Sequence, residues 1–244
     1  MIDYNREAAT YDVSRGGEAR AAATAEAVER LLPEGAQTLV DVACGTGIVT
    51  TRLRRPTRTV LGVDRSQGMM ALAAARLPGG VVFGDATRLP VGSGRADVVL
   101  FIWLLHLLPD VAPVLAEGAR VLRAGGVLLT TVDKDQAAFS VESDTAAVMG
   151  PLRRKYAPRA ADSFDRVAEL AAAAGLRPAG ETAFTGIGQG RSPRQWRERI
   201  TTGRIPWSRE ASREEVSGLC RDLESLPDQD ATRPDPLYRL VALA

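Results

Sequence analysis

The feature that most constrains this chain is an alternation. Between residues 37 and 132 five short apolar runs recur, separated by turn residues and by stretches with helical spacing. Residues 37–43 (QTLVDVA), 59–64 (TVLGVD), 81–85, 97–103 (DVVLFIW) and 127–132 read as strands. DVVLFIW carries almost nothing polar, which suits a strand covered on both faces. Strands separated by helices predict βαβ units, a mostly parallel sheet and an α/β fold. The intervening helices are predicted over 48–55, stopped by Pro56, and from a Ser66 cap to about Leu77, closed by Pro78-Gly79-Gly80. A third runs over 110–123, with Pro109 as its starter and Gly125-Gly126 as its break.

Beyond residue 132 the rhythm loosens. Residues 140–149 are predicted helical, 151–158 irregular, and 162–174 helical with Gly175 at the C-terminal cap position. A sixth strand is expected over 177–185. Helices follow over 192–201 and 209–224, joined by an RIPWS turn, and a last strand closes the chain over 237–243. A chain of 244 residues fits one domain. Segments about 1–20, 134–160 and 186–232 stand outside the alternation and are expected to form a helical cap over the substrate site.

Charge and cysteine usage narrow the function classes. Thirty-one basic side chains against 30 acidic ones leave a net charge of +1, which speaks against a nucleic-acid partner. The basic clusters Arg52, Arg54, Arg55, Arg58 and Arg153, Arg154, Lys155, Arg159 read as solvated helix ends. No run of about 18 apolar residues occurs, so no membrane partner is expected. The first residues, MIDYNREAATYD, are charged and do not read as a secretory signal, and Cys44 and Cys220 lie far apart. Free thiols in the cytoplasm are the expectation. With one histidine, His106, and two cysteines there is no Cys/His metal site, and no metal is expected.

The chemical signal is densest at Leu39-Val40-Asp41-Val42-Ala43-Cys44-Gly45-Thr46-Gly47, placed between a strand and a predicted helix. Small residues in a first βα turn let a ligand approach the backbone. A carboxylate, Asp64, ends the next strand at the spacing of an acid that holds ribose hydroxyls. A dinucleotide fingerprint would need a third glycine, but Ile48, Val49 and Thr50 follow Gly47. A P-loop would need Gly-Lys-Ser/Thr, which is absent. A ligand with an adenosine and no phosphates fits better, and S-adenosylmethionine (SAM) is one. Gly84-Asp85-Ala86 then closes strand three, Leu104-Leu105-His106-Leu107-Leu108-Pro109-Asp110 follows strand four, and Leu122-Arg123-Ala124-Gly125-Gly126 leads into strand five.

This succession resembles the class I SAM-dependent methyltransferases, and within them the small-molecule, type 11-like branch. It covers about residues 36–133. The resemblance implies a Rossmann-like seven-stranded sheet of order 3-2-1-4-5-7-6 with the last strand antiparallel, and SAM across the carboxyl ends of strands one, two and four. It implies that Asp41 orders the loop of Ala43, Gly45, Thr46 and Gly47 near the methionine amino group, and that Asp64 takes the ribose hydroxyls. Asp85 and the Ala86 N–H would meet the adenine, with Arg65 and Met69 flanking the nucleoside. Phe101 and His106 would border the cofactor at the end of strand four. Tyr11 would close the methyl pocket, and Arg15 or Arg20 would pair with the methionine carboxylate. Ala43 stands where the family's first glycine falls.

Methyl transfer is an in-line displacement in which the protein mainly aligns donor and nucleophile. A base is needed only if the nucleophile carries a proton. His106 has the right chemistry for one, and reads equally as a pocket wall. Trp103, Tyr156, Trp196 and Trp207 are candidates for an apolar substrate wall, or for packing. The segment after strand four lacks the N/D-P-P-Y/W motif of amino-methylating enzymes of DNA bases or protein glutamine, and neither cysteine sits in a nucleophile motif. Asp133 and Asp135 are a thin version of a Mg²⁺ site. The expected function is methylation of an oxygen, nitrogen or carbon of a small, largely apolar or aromatic acceptor, in secondary metabolism, by a monomer or homodimer. A quinone or lipid C-methyltransferase, an RNA-modifying methyltransferase and a non-catalytic SAM-binding protein stay open.

Overall fold

The apolar runs become strands, and the strands share one sheet. The structure, a computed structural model, describes residues 3–156 and 160–244. Its first part runs α1 (Tyr4–Ser14), α2 (Gly17–Glu29), β1 (Thr38–Val42), β2 (Thr59–Asp64), α3 (Gln67–Arg76), β3 (Val81–Phe83), β4 (Ala96–Phe101), α4 (Ala112–Val121) and β5 (Leu122–Val132). Then come α5 (Asp144–Tyr156), α6 (Phe164–Ala173), β6 (Pro178–Thr185), α7 (Pro193–Thr201), α8 (Arg213–Glu224) and β7 (Leu237–Leu243). The sheet order is β3-β2-β1-β4-β5-β7-β6. β1 through β5 pair in parallel, and β7 lies antiparallel to β5, from Leu128 opposite Leu243 to Val132 opposite Arg239. This is the expected α/β order.

The chain divides into two compact units. One takes the residues up to Lys134, Ala161–Thr185 and Tyr238–Ala244; the other takes Asp135–Ala160 and Gly186–Leu237. Residues 3–20, which stand outside the strand–helix alternation, thus belong with the sheet.

In the sheet unit every residue of β4 is buried, and Val40, Val42, Val99, Phe101, Leu128 and Val241 share one core with Val114, Leu115 and Val121 of α4. Gly118 brings α4 close to the sheet: a Cβ there would stand 2.6 Å from Leu128 Cδ1 and 2.8 Å from Phe101 Cζ. Gly62 plays the same part inside β2, where a Cβ would meet Cys44 Sγ at 2.8 Å. The Asp97 carboxylate is buried, accepts the Gln37 and Thr38 N–H groups at 2.8 Å each, and pairs with Arg123. That ties β4 to the start of β1.

The second unit is helical and has its own core. Met149 of α5, Trp196 and Ile200 of α7, Trp207, and Leu219 and Leu223 of α8 pack together. Capping boxes start α7 (Ser192 with Gln195) and α8 (Ser212 with Glu215).

Several boundaries differ from the sequence reading. No α-helix follows the glycine loop. Thr50–Leu53 forms only a 3₁₀ turn, because Ile48, Val49, Thr50 and Thr51 are four consecutive β-branched residues. α4 starts with Pro113 in its first turn rather than at Pro109. β5 begins at Leu122, and Gly125-Gly126 is absorbed as an irregularity in the register with β4 instead of a break. α5 runs to Tyr156 through Pro151, so 151–156 is helical rather than irregular; Met149 and the partly buried Leu152 and Tyr156 hold the helix to the second core. Pro158 and Arg159 lie outside the described residues. The short basic clusters are in part paired: Arg52 with Glu18, Arg55 and Arg58 with Glu29. Among the described residues no helix is long and apolar enough to cross a membrane.

Candidate active site

In the sheet unit two groups of polar side chains stand at the carboxyl ends of the parallel strands. The first group lies at β1, β2 and β3. Asp41 is buried in β1, and its Oδ2 accepts the Thr50 hydroxyl. Burial pushes its carboxyl up to about 7; the Thr50 bond opposes this, and the nearby Asp64 adds to it. Asp64, at the end of β2, is held by two backbone donors: Gly45 N–H to Oδ2 and Ser66 N–H to Oδ1, each at 2.8 Å. Neither carboxylate forms an ion pair among the described residues. Asp85 lies beyond β3, exposed, its Oδ1 accepting the Thr87 N–H at 2.8 Å and the Thr87 hydroxyl at 2.6 Å. Those bonds hold its carboxyl below the usual range, and the Arg65 charge adds a little in the same direction.

The glycine loop between Asp41 and Asp64 is conformationally demanding. Gly45 and Gly47 have φ of 59° and 73°. Ala43 has φ of 58°, so the residue standing at the family's first glycine does adopt a glycine-favoured conformation. Burial raises the Cys44 thiol, which leaves it a packing group rather than a nucleophile.

Asp12 and Asn5 of α1 and Arg76 of α3, which the sequence reading did not single out, fasten α1 onto this loop and the start of α3. Asp12 Oδ1 accepts the Thr46 hydroxyl at 2.6 Å, and Arg76 of α3 reaches both Asp12 Oδ2 and the Thr46 carbonyl at 2.7 Å. Asn5 Oδ1 accepts the Ser66 hydroxyl at 2.9 Å and the Gly68 N–H at 3.0 Å. These partners lie 30 to 64 residues apart, so spacing gives no sign of them. Asp12 and Asn5 lay inside the segment 1–20, which the sequence reading gave to a cap.

The second group lies at β4 and β5, beside the carboxylates of Asp133 and Asp162. Trp103, just past β4, is left-handed with φ of 55°, and its backbone N–H donates to Thr131 Oγ1 at 2.8 Å. Its ring meets Phe184 and Tyr238 edge-on, with centroids 5.7 and 5.6 Å away. The Arg20 guanidinium lies 3.9 Å from the Trp103 ring centroid. Arg20 is 8% exposed, and its side chain has neither a hydrogen bond nor an ion pair among the described residues. His106 follows in the same segment, its Nε2 2.6 Å from Lys134 Nζ. Burial, the Lys134 charge and the Arg15 charge, in that order, push His106 down to about 3, so the ring is neutral. A neutral ring accepting the Lys134 ammonium carries its proton on Nδ1. Tyr11 stands between Tyr4, edge-on at 6.1 Å, and Arg15, whose guanidinium is 5.5 Å from the Tyr11 centroid.

Other expected site residues are used differently. The Phe101 side chain is fully buried under α4, which leaves its backbone alone at the strand end. Met69 is also buried, and its N–H caps α3 on Ser66. Arg65 is exposed, and Ala86 is half-buried. Trp196 and Trp207 belong to the core of the helical unit, where Ile200 and Leu223 take up their apolar surface. Tyr156 joins that core and donates its hydroxyl to Glu215. The Asp133 carboxylate is occupied by the Phe164 N–H and Arg239, and no group of three or more metal-ligating side chains occurs among the described residues.

Residues 40–130 match the family model described as a methyltransferase domain. The same stretch holds the glycine loop, the three strand-end acids and His106. Over that stretch the chain is similar to methyltransferase domains. A malonyl-[acyl-carrier protein] O-methyltransferase of Hahella chejuensis is 32% identical over 180 residues, 71% of this chain and 62% of that protein. The chain therefore spans less than two thirds of that relative's length. A putative methyltransferase of Bacillus halodurans shares the fold, with a TM-score of 0.57 at 20% identity, covering 93% of this chain and 98% of that one. So does a geranyl diphosphate C-methyltransferase of Streptomyces coelicolor, crystallised with S-adenosylhomocysteine: TM-score 0.53, 19% identity, 91% of this chain and 76% of that one.

Proposed function

We propose that this methyltransferase domain transfers the methyl group of SAM to an oxygen, nitrogen or carbon nucleophile of a small acceptor. One observation carries the reading. Asp41 and Asp64 face each other's charge across a glycine loop without an ion-pair partner among the described residues. Such a pair favours a cationic ligand, and SAM bears an ammonium and a sulfonium. Asp64 suits the ribose, because its two backbone donors leave lone pairs on both oxygens. Asp41 suits the amino group, Asp85 and Ala86 the adenine, and the bends at Ala43, Gly45 and Gly47 a close backbone approach. The bound cofactor supplies an activated methyl group, and the chain supplies alignment.

His106 positions rather than abstracts. Its Nε2 lone pair is engaged by Lys134, and its surroundings are cationic, so it is a poor proton acceptor near neutrality. Its role here is to aim the Lys134 ammonium at the end of β5. Tyr11, steadied by Tyr4 and Arg15, closes the methyl side. The free thiols Cys44 and Cys220 fit a reducing cytoplasm.

The test is thermal unfolding with SAM, S-adenosylhomocysteine, NAD or NADP. At about 100 times its dissociation constant a ligand adds about 2.7 kcal/mol, a shift of a few degrees at this size. A shift with SAM and its product alone is expected. A shift with NAD alone, or none with any of the four, refutes the reading.

A further inference from the structure

The first two helices are held to the sheet unit in different ways. α2 buries Arg20, Ala21, Thr24, Ala25, Ala27 and Val28, whereas α1 buries Ala8 alone. The attachment of α1 is polar and sits at its two ends. At one end Asp12 accepts the Thr46 hydroxyl and pairs with Arg76. At the other, Asn5 Oδ1 accepts the Ser66 hydroxyl and the Gly68 N–H. Asp64 lies between these two anchor points, because its carboxylate takes the N–H groups of Gly45 and Ser66. Asn5 and Asp12 are about 10 Å apart along the helix, so α1 lies across Asp64. All of these contacts join groups of the chain itself, so they form with or without a cofactor. Two glycine features suit the helix to move as one piece. Gly16 and Gly17, with φ of 89° and 53°, make a joint between α1 and the anchored α2. Gly68 makes the seat: a Cβ there would stand 2.9 Å from the Asn5 carbonyl oxygen and 3.0 Å from Asn5 Cα.

We infer that α1 is a lid jointed at Gly16-Gly17, seated on Gly68 and latched by Asp12, and that it lifts for each entry and exit of the cofactor. This rests on the methyltransferase reading, in which Asp64 takes the ribose, and adds the step that governs cofactor exchange. A nucleoside at Asp64 lies beneath the helix, so the closed helix bars its path. Lifting α1 breaks few apolar contacts, which is the mark of a segment that opens locally. α2 stays in place, since its inner face is built into the unit. Gly68 and Asp12 are positioning residues that act on the cofactor through α1.

Two variants of the full chain unseat α1 from opposite ends. Gly68→Ala sets a methyl against the Asn5 backbone and spares α3, because Gly68 lies outside the left-handed region and alanine is the better helix former. Asp12→Ala removes the latch. Association and dissociation of S-adenosylhomocysteine are followed by stopped flow, and amide exchange of α1 and α2 by mass spectrometry. Both variants should raise the association rate constant by about threefold or more, because a closed lid limits entry. Dissociation should rise by more, since Tyr11 rides on the same helix. Lost contacts alone would speed dissociation and leave association unchanged. In cofactor-free wild type, α1 should exchange about tenfold or more faster than α2, and saturating S-adenosylhomocysteine should slow α1 selectively. Gly68→Ala should speed α1 further and leave α2 unchanged. The inference is overturned if association is unchanged in either variant, or if α1 and α2 exchange alike in wild type. Failure of wild-type protein to bind S-adenosylhomocysteine would refute the methyltransferase reading instead. Exchange in cofactor-free wild type and Gly68→Ala would still decide whether α1 lifts from that seat.

Discussion

Replacing Asp41 by asparagine should make the protein's stability respond differently to pH, by an amount set by one buried carboxyl. In the unfolded chain that group titrates in the ordinary range near 4. In the fold, burial and the neighbouring Asp64 raise it to about 7, against the Thr50 bond. Between these values the folded state holds the proton more tightly than the unfolded state. Stability is therefore lost as pH rises from about 4 to about 7, and is flat above. The full shift of about three units corresponds to an upper limit of about 4 kcal/mol. Between pH 5 and pH 8 about 2–3 kcal/mol of it should be expressed. The Asp41→Asn variant lacks this contribution, whereas His106 and every other titrating group are common to both proteins. The assay is urea unfolding of wild type and Asp41→Asn at pH 5, 6, 7 and 8, taking the difference at each pH. The substituted amide can itself cost stability by leaving a donor unpaired, but that cost does not vary with pH. The difference should move in the variant's favour by about 2–3 kcal/mol across the range. A difference constant to within about 0.5 kcal/mol would show that Asp41 is already ionised in the fold, and the argument for an uncompensated acidic pair would fail.

Four further outcomes are expected. Ala43→Gly should stabilise the apo protein by about 0.5–1 kcal/mol in thermal unfolding, because a left-handed alanine costs more than the chain entropy glycine adds; destabilisation would count against that backbone conformation. Asp12→Ala should cost about 1–2 kcal/mol by removing the half-buried link from Thr46 and Arg76 to α1, and should weaken S-adenosylhomocysteine binding measured by calorimetry. Gly118→Ala should cost about 1–3 kcal/mol in urea unfolding despite its better helix propensity, because fully buried Leu128 and Phe101 block the new methyl. Once an acceptor is in hand, the pH–rate profile should show no inflection between pH 5.5 and 7.5 that His106→Gln removes, since the ring is already neutral well below that range.

How far the sequence could be read depends on where the information lies. β2 was legible to the residue because TVLGVD is apolar, β-branched and bounded by turn formers. Asp41, Asp64 and Asp85 were legible because strand ends fix where a side chain emerges, and here the strands are the five central apolar runs. The 3₁₀ turn after Gly47 was misread as a helix because a strand–loop–helix pattern outweighed four β-branched residues in a row. α2 hid for the opposite reason: its buried face is Ala21, Ala25 and Ala27 with Thr24 and Val28, too little contrast for a periodicity to stand out. The latch of Asp12, Asn5 and Arg76 was invisible because its partners meet only in three dimensions. Trp196 and Trp207 read as a substrate wall or as packing, and type and spacing alone did not show that both lie in a second core.

The placement of the tryptophans has a practical consequence. The chain has three. Trp103 lies in the sheet unit beneath a guanidinium, while Trp196 and Trp207 lie in the helical core. Each unit therefore carries its own optical label. In a Trp196→Phe/Trp207→Phe protein, emission reports only the sheet unit and the ring on which Arg20 rests. In a Trp103→Phe protein it reports only the helical unit. Denaturant curves followed in the two backgrounds will coincide if the units melt together, and will separate if they do not, the background that changes first naming the weaker unit.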